Sequence, residues 1–281
     1  MNSIDDFSPL VTASWLREHL DEVVVLDGSY YLASMGKDAD QAFKQRHIAG
    51  AMRWNIDAIA EPHASLKHMM PAADVVAQAA ADRGISNQST VVIYDQLGMF
   101  SAARVWLTLK LIGHQRVALL DGGLPAWDGP VESGEAKLPE SVEYGDYQST
   151  DVTVDRDAVA QALSAKSACV VDARAAGRFS GTAAEPVQGL RSGHMPGAIN
   201  LPFTDLLTSD NRFKPVSELK QLFAEARVDL SAPIITSCGS GVTASVISFA
   251  LYLLETSSLV YDGSWSEWGQ PELNMPVTCD V

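Results

Sequence analysis

Pro233-Ile234-Ile235-Thr236-Ser237-Cys238-Gly239-Ser240-Gly241-Val242-Thr243-Ala244 is the run from which the rest of the chain can be read. Its opening is short, β-branched and bounded by proline, as in a buried strand, while Ala244 to Glu255 is long and apolar enough for a core-packed helix. Strand, glycine loop and helix in that order put Cys238 at the carboxyl end of a strand, where ligands bind in an open α/β sheet. Glycines let successive N–H groups turn inward, and the first turn of the helix adds unpaired N–H groups and the positive end of a dipole. Such a loop stabilises an anion, and the thiolate is the nucleophilic form of cysteine. A lone cysteine at a strand end is more often a buried structural residue. Two glycines and the flanking hydroxyl residues favour the reactive reading here.

Composition narrows the alternatives. The chain has 281 residues, 47% of them hydrophobic and 20% charged, which fits a globular protein of about two domains. No apolar run reaches transmembrane length, and Met1-Asn2-Ser3-Ile4-Asp5-Asp6 is acidic where a signal peptide is basic. A cytoplasmic protein without a membrane partner is therefore expected. The three cysteines, Cys169, Cys238 and Cys279, are an odd number without metal-ligand spacing, and none of the six histidines sits in a metal motif. Neither a disulfide framework nor a metal site is expected. A net charge of −15 opposes nucleic-acid binding. An anionic substrate would need arginines to reverse the local field, and Arg174, Arg178 and Arg191 stand against the single acid Glu185 in their segment.

Strand-like runs at Val23 to Leu26, Val91 to Tyr94 and Val117 to Leu120 alternate with helical ones, as in a parallel sheet covered on both faces. Landmarks of the first half then recur. Asp27 returns as Asp172, His47-Ile48-Ala49-Gly50-Ala51 as His194-Met195-Pro196-Gly197-Ala198, and Asp121 to Trp127 as Asp262 to Trp268, at offsets of 145, 147 and 141 residues. Near-constant offsets imply two tandem copies of one α/β domain, at 1–130 and 151–281, joined by a linker at 131–150 rich in acids, Gly and Ser. The alignment sets Asp95 opposite Cys238, so the second copy is expected to be catalytic and the first a scaffold. The loop Gln96-Leu97-Gly98-Met99-Phe100 has one glycine and bulky side chains. It reads as a poor anion cradle that walls the site.

The His194 to Ala198 signature, the Asp262-Gly263-Ser264-Trp265-Ser266-Glu267-Trp268 run and the Cys238 loop between them resemble the rhodanese superfamily over nearly the whole chain. The resemblance implies two tandem rhodanese-like domains, each a parallel β-sheet flanked by helices on both faces. It also implies ping-pong sulfur transfer through a Cys238 persulfide, without a cofactor, to a thiol acceptor such as thioredoxin or to cyanide. The uncharged Gly239-Ser240 pair is similar to the branch that takes sulfur from 3-mercaptopyruvate, whereas thiosulfate-using members carry basic residues there. Further implied roles are a persulfide held by the N–H groups of the loop, Gly239, Gly241, Val242 and Thr243 among them, and a substrate carboxylate bound by Arg178. Ser240, His68 in Lys67-His68-Met69-Met70-Pro71, and Asp57 are implied as a proton relay.

One position departs from the family pattern. A second arginine usually follows Glu-Pro, and here Val187 follows Glu185-Pro186, leaving Arg191 as the substitute. The rival enzyme reading is a thiosulfate sulfurtransferase. A cysteine phosphatase is disfavoured because Ala244 stands where its loop needs arginine, and a non-catalytic binding module because Cys238 is present.

Overall fold

Short runs of β-branched and aliphatic residues form parallel strands in two units, seen in a computed structural model that describes residues 7–280. The acidic stretch Met1 to Asp6 lies outside the described residues. Within the described residues the first unit comprises 7–62, 71–150 and 209–212, and the second 63–70, 151–208 and 213–280.

In the first unit the strands are β1 (Leu10–Val11), β2 (Val24–Asp27), β3 (His47–Ile48), β4 (Met52–Arg53), β5 (Val91–Tyr94), β6 (Val117–Leu120) and β7 (Val131–Glu132). Its helices are α1 (Ala13–Glu18), α2 (Ala39–Gln45), α3 (Ala73–Ala81) and α4 (Ala102–Leu111). The main sheet is all parallel in the order β1-β6-β5-β2-β4. Its central strand β5 is 0% exposed at all four positions, which is why it reads as an unbroken apolar run rather than an alternating one. The stretch read as a linker is held to this unit. β7 pairs antiparallel with β3, Tyr144 accepts from Asn87 N–H, and its hydroxyl meets His114 Nδ1 at 2.8 Å.

The second unit repeats the plan with β8 (Thr153–Val154), β9 (Cys169–Asp172), β10 (Ile199–Asn200), β11 (Ile234–Ser237) and β12 (Leu259–Tyr261). Its helices are α5 (Arg156–Ala165), α6 (Ala176–Ser180), α7 (Val216–Glu225), α8 (Ala244–Leu253) and α9 (Ser264–Trp268). Its sheet, β8-β12-β11-β9-β10, has the strand order of the first, strand for strand, and is likewise parallel. Val159, Val170, Ile235, Tyr261, Trp265 and Trp268 form one core of this unit. The first eight residues of α8 are all buried, so that helix is driven by burial on all sides rather than by amphipathicity.

The repeated landmarks hold up the fold. His47 stacks on Phe43 and bonds its carbonyl through Nδ1, and His194 does the same with Phe179, at ring separations of 4.0 and 3.9 Å. Asp27 and Asp172 end equivalent strands and accept backbone N–H groups two residues on, from Ser29 and Arg174. Cys169 opens β9 half-buried, and Cys279 is exposed.

Candidate active site at the Cys238 loop

β11 runs from Ile234 to Ser237 and α8 begins at Ala244, so Cys238 is the first residue past a central strand. Register identifies its counterpart. Ser237 pairs with Asp172 as Tyr94 pairs with Asp27, which sets Cys238 opposite Asp95. Cys238 is 2% exposed, Gly239 and Ser240 are half-buried, and Gly241 takes the left-handed φ of 77° that glycine adopts without steric cost.

From below, the loop is gripped by the Asp262 to Trp268 segment. Trp265 N–H donates to the Cys238 carbonyl at 3.0 Å, and Ser266 donates to the Gly239 carbonyl twice, from its N–H at 2.8 Å and its hydroxyl at 2.6 Å. The Cys238 N–H in turn donates to Ser264 Oγ at 3.2 Å. Ser264 is fully buried at a left-handed φ of 47°, a conformation serine rarely adopts. In the sequence this segment stands out as a repeat landmark and as part of the family resemblance, not as a support of the loop. Its contacts with the loop span about two dozen residues of chain and left no local signal.

The first copy corrects an expectation. Its loop was read as a poor anion cradle, yet it folds around an anion of its own. Asp95 Oδ1 accepts the N–H groups of Leu97 and Gly98, and Oδ2 those of Phe100, Ser101 and Ala102, all at 2.8–2.9 Å. Bulky side chains do not prevent this, because the backbone supplies the donors. Among the described residues, the corresponding amides at Ser240, Gly241 and Thr243 have no hydrogen-bond acceptor within the protein.

Beside the loop lies a chain of charge. Arg174, fully buried, grips Asp172 through Nε and Nη2, with the shortest contact at 2.7 Å, and stacks on Trp265 at 4.1 Å. Its Nη1 reaches Glu185 at 2.8 Å, and Glu185 holds Arg178 at 2.5 Å from the other side. Arg178 is the partly exposed member, and a Cβ added at Gly239 would lie 3.2 Å from its Nη2. The expected local reversal of field is therefore muted, since Asp172, Arg174, Glu185 and Arg178 sum to zero formal charge. What remains is a guanidinium fixed against Gly239.

Arg191 does not join this group. Its guanidinium donates to the carbonyls of Gly269, Met275 and Trp268, the shortest at 2.7 Å, so three of its five N–H groups are engaged by backbone of the 268–275 segment. Val187, by contrast, is exposed. His68 is buried at a φ of 64° in the segment assigned to the second unit, where Met70 N–H donates to Asp262 at 2.5 Å. Asp57 belongs to the first unit and lines a small polar cavity there with Tyr30, Arg53 and Asn55. No group of His, Cys, Asp and Glu capable of holding a metal ion occurs among the described residues, and no helix there is long and apolar enough to cross a membrane.

Comparison with known proteins bears on the same features. The family described as Rhodanese-like domain matches twice, at residues 12–129 and 155–271. Mouse 3-mercaptopyruvate sulfurtransferase is 41% identical, covering 95% of this chain and 94% of its own length. Chicken thiosulfate sulfurtransferase is 40% identical, with 92% of each chain covered. Among solved structures, the Escherichia coli 3-mercaptopyruvate sulfurtransferase SseA superposes with a TM-score of 0.82 at 34% identity, over 92% of this chain and all of that one. With two matched domains, one strand order repeated and relatives aligned over nearly the full length, the chain belongs to the rhodanese family of sulfurtransferases.

Proposed function

We propose that this enzyme moves the sulfur of 3-mercaptopyruvate through a persulfide on Cys238 to a thiol acceptor, releasing pyruvate. The observation that carries the assignment of Cys238 is the internal comparison with Asp95. An aspartate oxygen stands two bonds beyond Cβ, and so does the outer sulfur of a cysteine persulfide. The first copy thus displays, in its own carboxylate, the kind of anion that the second copy's loop would hold with its uncommitted amides.

In this reading the Cys238 thiolate attacks the donor's thiol sulfur. The sulfur–carbon bond breaks with its electron pair leaving on carbon as the pyruvate enolate. The proton that began on the donor thiol ends on that carbon, giving pyruvate. An acceptor thiolate, from a small thiol or a thioredoxin, then takes the outer sulfur and restores Cys238. Arg178 binds the donor carboxylate through its fixed guanidinium, and Ser240, His68 and Asp57 carry the proton. Arg191 is assigned to anchoring the 268–275 segment. The site of action is the cytoplasm.

Thiosulfate is the second donor to test, because Val187 removes one arginine and a thiosulfate sulfurtransferase is among the similar proteins. The uncharged Gly239-Ser240 pair favours mercaptopyruvate over that dianion. Measuring kcat/KM for both donors, with peptide mass mapping after each, tests the assignment. The expected result is preference for mercaptopyruvate, one added sulfur on the Cys238 peptide, and no pyruvate release by Cys238→Ser. Preference for thiosulfate would overturn the donor, and wild-type turnover by Cys238→Ser the nucleophile.

A further inference from the structure

The two copies hold equivalent loops by different means. In the first, the Leu97 N–H is turned inward by the Asp95 carboxylate that it binds. In the second, the equivalent residue is Ser240, and the side chain at the head of the loop is a cysteine, which offers no carboxylate to template the amides. A trans peptide is planar, with its C=O and the next N–H pointing in opposite directions, so holding one end orients the other. The Gly239 carbonyl is the far end of the Ser240 amide, and it receives both the N–H and the hydroxyl of Ser266. In the first copy the place of Ser266 is taken by Pro125, which has neither an N–H nor a hydroxyl. The outside clamp is therefore present in the copy that lacks the inside template and reduced in the copy that has one.

We propose that Ser266 is a positioning residue, which turns the Ser240 N–H toward the sulfur of Cys238 before any persulfide forms, by holding the carbonyl at the other end of the same peptide. The inference rests on Cys238 being the sulfur carrier. Preorganised amides stabilise charge without reorganising when it arrives, so the clamp acts on the loaded and reacting states rather than on donor binding. Trp265 does the same for the next peptide toward the strand. Its N–H holds the Cys238 carbonyl and so directs the Gly239 N–H, as Leu124 holds the Asp95 carbonyl in the first copy.

The test compares Ser266→Ala, which loses the hydroxyl bond, Ser266→Pro, which recreates the first copy's residue, and Ser266→Thr, which restores the hydroxyl. Each full-length variant is assayed for pyruvate release and for the fraction of Cys238 carrying an extra sulfur at fixed mercaptopyruvate. Loss of one net hydrogen bond predicts about a fivefold fall in kcat and in the loaded-to-unloaded ratio for Ser266→Ala, with KM within about twofold of wild type. Ser266→Pro is expected to lose more and Ser266→Thr to recover. If Ser266→Pro fails to fold, the alanine and threonine pair carries the test. Unchanged loading and kcat in Ser266→Ala, or a fall that threonine does not recover, would overturn the clamp while leaving a loaded wild-type Cys238 intact. A wild-type Cys238 that takes sulfur from neither mercaptopyruvate nor thiosulfate would remove the catalytic reading and the clamp with it.

Discussion

Replacing Asp95 with asparagine is the sharpest probe of how these loops are held. The substitution keeps the shape of the side chain but turns one of two acceptor oxygens into an NH2 donor. Five N–H groups converge there, two on Oδ1 and three on Oδ2. The amide oxygen is expected to face the three, leaving Leu97 and Gly98 N–H opposite a donor. Asp95 is 1% exposed, so water has little access to the orphaned pair. At roughly 1–3 kcal/mol for each buried unsatisfied group, the first unit loses on the order of 2–6 kcal/mol. With a urea m-value of about 2 kcal/mol/M, the midpoint falls by about 1–3 M. Urea unfolding combined with native-state hydrogen exchange of the 95–111 peptide measures both the loss and its location. A loss below about 1 kcal/mol, or exchange unchanged at Leu97 and Gly98, would refute the view that this carboxylate organises the loop.

Arg178→Ala is expected to raise KM for the anionic donor by about tenfold or more, while Arg191→Ala lowers Tm and leaves KM near wild type; steady-state kinetics with calorimetry separates the two, and equal effects on KM would return Arg191 to the site. Glu185→Gln removes the carboxylate shared by two arginines, so Arg178 loses its fixed position and Arg174 part of its buried partnership. A rise in KM together with a stability loss of about 3–5 kcal/mol is expected from kinetics and urea titration. Burial pushes the His114 imidazole down to about 4 from an ordinary 6.5, so the unfolded chain takes up a proton that the folded one resists. Stability is then complete above about pH 6.5 and falls by up to roughly 3 kcal/mol as pH drops toward 4, a slope that His114→Gln should flatten in urea titrations across that range.

The strand-loop-helix around Cys238 was legible because proline, β-branched residues and glycines each constrain the backbone locally. The duplication was legible because Asp27 and His47 occupy positions that both copies need for the same reason, as the paired Asx turns and Phe–His stacks illustrate. The Asp95 cradle was missed because counting glycines measures the ease of turning amides inward, not the presence of an acceptor that pulls them there. The anchoring of Arg191 was not legible because its acceptors are backbone carbonyls 77 to 84 residues away, which no charge pattern announces. Glu185 was counted as one acid among three arginines, and only folding shows that it joins two of them.

Asp95 also has a meaning for how the protein meets its solutes. A carboxylate fixed by a covalent tether faces its loop at an effective concentration far above that of any free anion. The first cradle is thus occupied at every concentration of donor, sulfate or sulfite. Anion titrations of the whole chain should follow a single-site isotherm, and exhaustive loading should stop at one transferable sulfur per chain, although two loops of the same ancestry are present.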